Sequence, residues 1–234
     1  MIKLVVSSFY NTLINDDESI DKSTMIEIDR IRKKGIIFAV ATNRNYKEVL
    51  DYNKDFDFID YIISLNGSYI YDVKKERCIY KKKISLSNIK KISSLYSDYN
   101  INYYLENEIV DSEDKINDKE VFKIEIEINS IEDIKKISKL KVNHSIFQYN
   151  DKKYLEITSA NASMFTGVDQ ISLKNNLNLK EILSINANES DYSLVTNIPH
   201  AYVVKNGSGK LKKATKKRTY SNNEKGLERL LKKL

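Results

Sequence analysis

Lys3-Leu4-Val5-Val6-Ser7-Ser8-Phe9-Tyr10-Asn11-Thr12-Leu13 opens the chain with a short apolar run that passes directly into a polar turn. The run from Lys3 to Val6 is too short and too apolar for an amphipathic helix, so it reads as a buried strand. Working outward, Ile20, Met25, Ile28 and Ile31 recur at helical spacing between Ser19 and Lys34, and Gly35 stands where a helix C-cap belongs. Ile36 to Ala41 is a second apolar strand, followed by Thr42-Asn43-Arg44 and a helical pattern from Tyr46 to about Tyr52. Tyr61 to Ser64 is a third strand. Strands and helices alternating through short connections predict a parallel sheet with right-handed crossovers. Ligands of such sheets bind beyond the carboxyl ends of the strands, where Ser8, Thr42 and Asn66 fall.

The pattern changes after about Lys81. Ser87 to Tyr99 reads as a helix, and Tyr103-Tyr104-Leu105 with Ile109-Val110 reads as a hairpin around Glu106-Asn107-Glu108. Val121 to Ile128 alternates strictly, with Ile124, Ile126 and Ile128 on one face and Lys123, Glu125 and Glu127 on the other, which predicts a half-exposed antiparallel strand. A helix from Ile131 to Leu140 and strands at Ser145 to Tyr149 and Tyr154 to Thr158 complete an α+β unit. Alternation then resumes with a helix from Ser163 to Asn176, a strand at Ile182 to Asn186, a helix after Asp191 and a strand at Ala201 to Val204. The division expected is therefore a core of residues 1–81 and 159–234 interrupted by an inserted unit of residues 82–158.

Composition narrows the function classes. The 234 residues can bury a substantial core, and 41% hydrophobic with 31% charged is ordinary for a globular protein. No apolar run approaches the roughly 20 residues of a membrane helix, and no signal-peptide architecture precedes the first strand, so a cytoplasmic location with no membrane partner is expected. Cys78 is the only cysteine and His144 and His200 the only histidines, which excludes an internal disulfide and leaves imidazole-dependent metal sites and triads poorly supplied. The net charge of +6 is concentrated in the tail, where residues 205–234 hold eleven Lys or Arg against Glu224 and Glu228. Lys210, Lys212, Lys213, Lys216, Lys217 and Arg218 form the densest run, able to meet an acidic partner or nucleic acid phosphates through counterion release. It has no interleaved aromatics for base stacking, so a solvated helix face is the plainer reading.

The whole layout resembles the haloacid dehalogenase-like hydrolases of the Cof type, whose α/β cap is inserted between the second and third motifs. Residues 3–13 are similar to the family's first motif, an apolar strand followed by Asp-x-Asp-Gly-Thr-Leu. Ala41-Thr42-Asn43-Arg44 resembles the Thr-Gly-Arg motif, Ser64-Leu65-Asn66-Gly67 the Asn-Gly after the next strand, Asn206 a late Asn, and Ser221 to Leu227 the closing segment. The resemblance implies a Rossmann-like parallel-sheet core with an α+β cap, phosphomonoester hydrolysis and a Mg²⁺ cofactor.

The departures from that pattern shape the functional expectation. Where the family has its nucleophilic Asp and its acid/base Asp, this chain has Ser8 and Tyr10; the charge-balancing Lys aligns with Met164; and Gly-Asp-x-x-Asn-Asp corresponds to Asn186 through Asp191, with Ala187 at the first Asp. Mg²⁺ needs hard oxygen ligands in near-octahedral array, normally including one or two carboxylates, and Asp191 alone is a poor cage. A serine nucleophile needs a base, and a tyrosine with an ordinary pKa near 10 is a poor one. General acid/base work alone is typically worth about 10² to 10⁴ in rate. The expectation is a catalytically inactive member with a binding or regulatory role, no catalytic residues, and no cofactor. With three acidic positions and one basic position changed, its pocket is expected to favour a small phosphorylated ligand held by backbone N–H groups, Thr42, Asn206, Asn66 and Arg44, a pattern equally consistent with a pocket that binds nothing. The alternatives are an active Mg²⁺-dependent phosphatase of sugar phosphates or nucleotides using atypical residues, a protein partner, and a nucleic-acid binder acting through the tail.

Overall fold

The computed structural model describes residues 1–54 and 57–234. Two sheets organise them. The first begins with β1 (Leu4–Ser8), β2 (Ile37–Ala41), β3 (Tyr61–Ser64), β4 (Tyr69–Asp72) and β5 (Arg77–Lys81), with α1 (Lys22–Lys33) and α2 (Tyr46–Asn53) in the crossovers. An excursion then runs through α3 (Leu86–Leu95), β6 (Ile101–Tyr104), β7 (Ile109–Val110), β8 (Lys123–Ile128), β9 (Val142–Tyr149) and β10 (Lys152–Ser159). The chain returns through α4 (Met164–Asn175), β11 (Ile182–Asn186), α5 (Tyr192–Asn197), β12 (His200–Val204), α6 (Gly209–Ala214), β13 (Arg218–Thr219) and α7 (Gly226–Leu231).

The larger sheet is ordered β13-β12-β11-β1-β2-β3-β4-β5. Its strands from β13 to β3 are parallel, and β4 and β5 extend it antiparallel. β1 lies at the centre with all five residues buried, Leu4 registered between Ile182 and Ile37. Its alternation feeds two apolar layers: Val5 packs with Ile28, Ile31 and Phe38 on one face, Leu4 and Val6 with Met164, Val168 and Ile171 on the other. Burial of both faces explains why these strands are continuously apolar. α1 ends at Lys33, with Lys34 as its C-cap, because Gly35 takes φ +81°, a left-handed turn that glycine enters without a Cβ penalty.

The smaller sheet, ordered β7-β6-β8-β10-β9, is antiparallel throughout. Its apolar face, including Ile124, Ile126, Leu155 and Ile157, packs on Ile89 and Ile92 of α3. Three features differ from the sequence reading. Residues Ile131–Ile137 form a tight 3-10 segment, not an α-helix; Ser130 and Asp133 cap its start reciprocally. The hairpin β4–β5, which carries no strong turn signal, extends the parallel sheet. The polar face of β8 meets solvent only at Glu127: Lys123 is 0% and Glu125 9% exposed, because that part of the face is turned onto the loops of the larger sheet. Among the described residues no helix is long and apolar enough to cross a membrane.

Candidate functional site

The carboxyl ends of β1, β2, β3 and β11 meet at one edge of the parallel sheet, and the inserted unit covers that edge. Ser8 ends β1, and its hydroxyl donates to Asp191 Oδ2 at 2.6 Å and to the Ile185 carbonyl at 3.3 Å. The same Oδ2 also accepts the backbone N–H groups of Ala187 at 3.0 Å and Asn188 at 2.8 Å. Both side chains are sealed, each 1% exposed. Burial pushes the Asp191 carboxyl above its usual range, against the pull of Ser8, Asn188 and Ala187.

That arrangement does not fit Mg²⁺. One oxygen of the single carboxylate already takes three donors, and its neighbours at the family's other acidic positions are a hydroxyl and a methyl group. Among the described residues no group of three His, Cys, Asp or Glu is placed to hold a metal ion. Tyr10 faces the cleft, but burial, then Tyr52 and Glu48, raise its phenol above the ordinary value, which makes it a still poorer base at neutral pH. Met164 is 1% exposed in the apolar layer beneath α4. Ala187 contributes its N–H to Asp191.

The candidate phosphate ligands separate. Thr42 Oγ1 accepts the Arg44 N–H at 3.1 Å, a turn within its own loop. Asn206 bridges two loops, donating to the Asn11 carbonyl at 3.0 Å and accepting the Asn222 N–H at 3.3 Å. Arg44 alone of the four lines the larger cleft, its guanidinium 5.7 Å from the centre of the Phe147 ring. Asn66 gives its amide N–H to Glu156 Oε2 at 3.0 Å. It sits in a left-handed turn, φ 56°, where the following Gly67 at φ +86° passes so close to α4 that a Cβ would fall 1.9 Å from the Ser163 carbonyl oxygen.

Glu156, on β10, is the centre of a network the sequence reading did not single out. Its Oε1 accepts from Asn43 Nδ2 at 2.7 Å and Lys123 Nζ at 3.0 Å; its Oε2 accepts from Asn66 and from Ser145 Oγ at 3.1 Å. Lys123 Nζ also donates to Glu125 Oε2 and to the Asn43 carbonyl, each at 3.0 Å, so all three ammonium donors are used. The Tyr104 ring lies 3.9 Å from the same nitrogen. Burial works to lower the Lys123 pKa, but Glu156, Tyr104 and Glu125 together outweigh it and hold the ammonium above its ordinary range. Burial likewise opposes ionisation of Glu156, and Lys123, Asn66 and Asn43 reverse the balance, so its carboxyl titrates below the usual value. The signal available in sequence was slight: a lysine and two glutamates alternating in strands, indistinguishable from a solvated face.

Two cavities flank this network, an outer one of about 360 Å³ and an inner one of about 140 Å³, sharing Glu156, Glu189 and Ser190. Neither is lined by Ser8, Asp191 or Thr42. The anion-favouring cleft expected from the motif substitutions meets a mixed lining: Asp16 and Glu18 against Arg44, with Glu156 paired to Lys123 and Glu189 to Lys210. The basic tail is partly tied down. Lys217 Nζ donates to the Pro199 carbonyl at 2.6 Å, Arg218 donates to the carbonyls of Lys212, Thr215 and Lys217, and Lys210 lies 3.7 Å from Glu189. Lys212, Lys213 and Lys216 make no ion pair among the described residues.

The chain matches the family model described as haloacid dehalogenase-like hydrolase over residues 9–110 and 103–231. A Haemophilus influenzae protein described as a candidate phosphatase is 23% identical over 99% of this chain and 97% of its own length. Among solved structures, a haloacid dehalogenase-like hydrolase from B. subtilis superposes with a TM-score of 0.90 at 16% identity, covering 100% of both chains. The phosphatase BT1666 from Bacteroides thetaiotaomicron superposes with a TM-score of 0.89 at 18% identity, covering 100% of this chain and 95% of that one.

Proposed function

Because this chain belongs to the haloacid dehalogenase-like hydrolase family, of the Cof type, we propose that it is a non-catalytic binding protein on a phosphatase scaffold. The observation that carries this reading is the sealed Ser8–Asp191 pair: the residue at the family's nucleophile position spends its proton on a buried carboxylate and lines neither cavity. Phosphoryl transfer needs charge neutralisation around the transferred group, usually by Mg²⁺ and a cationic side chain. Asp191 as sole carboxylate and Met164 in place of the lysine supply neither. The ligand then occupies the cap–core cleft without turnover, in a regulatory or sequestering role.

The same 2.6 Å bond favours one second reading, a serine hydrolase step in which Asp191, its carboxyl raised by burial, accepts the Ser8 proton. A p-nitrophenyl phosphate assay with Mg²⁺ and with EDTA tests both. The binding reading expects no hydrolysis above buffer and no difference in Ser8→Ala. Hydrolysis by the wild type that disappears in Ser8→Ala overturns it in favour of the enzyme.

A further inference from the structure

We infer that the cap–core cleft contains a preassembled oxyanion site and that the Glu156 carboxylate already fills it, closing it to ligands from outside; this rests on the reading above of the cleft as a ligand site without turnover. A buried carboxylate is well held when donors reach both of its oxygens from fixed directions. Asn43 Nδ2 at 2.7 Å and Lys123 Nζ at 3.0 Å reach Oε1, and Asn66 Nδ2 at 3.0 Å and Ser145 Oγ at 3.1 Å reach Oε2. The two asparagines stand on core loops after β2 and β3, the lysine and serine on the inserted unit. Other contacts keep these donors in place. Asn66 sits in the left-handed turn ahead of the close approach of Gly67 to α4, and Ser145 is registered opposite Glu156 in the β9–β10 ladder. Lys123 is held by Glu125 Oε2 and by the Asn43 carbonyl, each at 3.0 Å.

The same side chain divides the cleft. Glu156, Glu189 and Ser190 line both the outer cavity and the inner one, so they form the wall between the two. Glu189 pairs with Lys210 at 3.7 Å, which leaves Glu156, 1% exposed, as the buried member of that wall. Charge keeps a second anion out. Lys123 alone already faces two carboxylates, Glu125 and Glu156, and a further anion arriving there meets that excess with little water to screen it. Against the upward push of burial, Lys123, Asn66 and Asn43 hold the Glu156 carboxyl below its usual range, so at neutral pH it does not leave the site by taking up a proton. With Glu156 shortened to alanine, Lys123 is balanced by Glu125 alone and the remaining donors face a vacancy. Buried donors are costly to leave unpaired, and an oxyanion from solution satisfies them.

Glu156→Ala removes the carboxylate and its methylene, which acetate replaces atom for atom, so acetate is the probe. Thermal unfolding at neutral pH is compared in sodium acetate and in sodium chloride of equal concentration. If the vacancy binds acetate with a Kd of about 10 mM, about 100 mM acetate raises the Tm of Glu156→Ala by about 3–6 °C over chloride. Wild type and Glu156→Gln, whose side chains still fill the position, shift by less than about 1 °C. If Glu156→Ala does not fold by itself, its recovery from urea is read in the two salts: recovery confined to acetate supports the filled site, and equal failure in both overturns it. An acetate response of the same size in all three proteins, or none in Glu156→Ala, also overturns the inference and leaves the carboxylate a structural fastening only. Hydrolysis of p-nitrophenyl phosphate by wild type that Ser8→Ala abolishes overturns the non-catalytic reading instead and leaves the acetate comparison as it was, so the two failures are separate.

Discussion

Replacing Lys123 by Met removes the one cation that holds Glu125 and Glu156 together and pins the cap to the Asn43 loop. The ammonium makes three hydrogen bonds of 3.0 Å, to Glu125, Glu156 and the Asn43 carbonyl, from a side chain with no exposure. Breaking a buried pair by deleting one partner costs about 3–5 kcal/mol, most of it from the charge left behind. Glu156 keeps three other donors, from Asn43, Asn66 and Ser145, which places the cost near the lower figure, about 3 kcal/mol. At roughly 2–4 °C per kcal/mol for a chain of this size, Tm falls by about 6–12 °C. Thermal unfolding followed by circular dichroism measures it, with Glu156→Gln and the double variant completing a cycle; Lys123→Met costs at least ~1 kcal/mol less in the Glu156→Gln background. The pH dependence has a definite sign. Glu156 has a folded pKa below its unfolded one, so its stabilisation is complete above the unfolded value of about 4.3 and is lost as pH falls through the lowered folded value. The gap between wild type and Glu156→Gln therefore closes only in acid. A Tm change for Lys123→Met under about 2 °C, or strict additivity in the cycle, refutes the reasoning.

Two further outcomes follow from the same geometry. Ser8→Asp places a second carboxylate against Asp191, which now receives the hydroxyl at 2.6 Å; the variant melts lower than wild type in EDTA and regains stability on adding millimolar Mg²⁺, whereas wild type does not respond. Gly67→Ala forces a left-handed backbone onto a residue whose Cβ would fall 1.9 Å from the Ser163 carbonyl oxygen, and a urea titration shows a loss of at least about 2 kcal/mol.

The parallel core was legible because its strands, buried on both faces, announce themselves as unbroken apolar runs; Tyr61–Ser64 and Ile182–Asn186 coincide with the strands found. The strand order put Ser8, Thr42 and Asn66 at the carboxyl ends of the parallel strands, which is where their loops lie. What sequence could not give was the partnering of polar residues. Lys123 and Glu125 alternate with isoleucines as any half-exposed strand does, and only the covering by the core loops reveals them as buried. Counting motif substitutions takes no account of Asp16 and Glu18, which enter the lining from the loop after the first motif, or of Glu189, an unassigned position inside the Asn186–Asp191 motif. The segment at Ile131–Ile137 is short enough that its helical periodicity does not distinguish 3-10 from α winding.

Glu156 is itself an oxyanion, covalently tethered to the cap and already seated on the Asn43 and Asn66 amides that reach out from two loops of the core. Tethering confers an effective concentration on the order of millimolar even for flexible linkers, and a strand-borne side chain held by four donors is far less free than that. An incoming phosphate therefore has to win those amides from a resident competitor that never diffuses away. Any separation of the inserted unit from the core therefore has to break the contacts of Glu156 with the Asn43 and Asn66 amides.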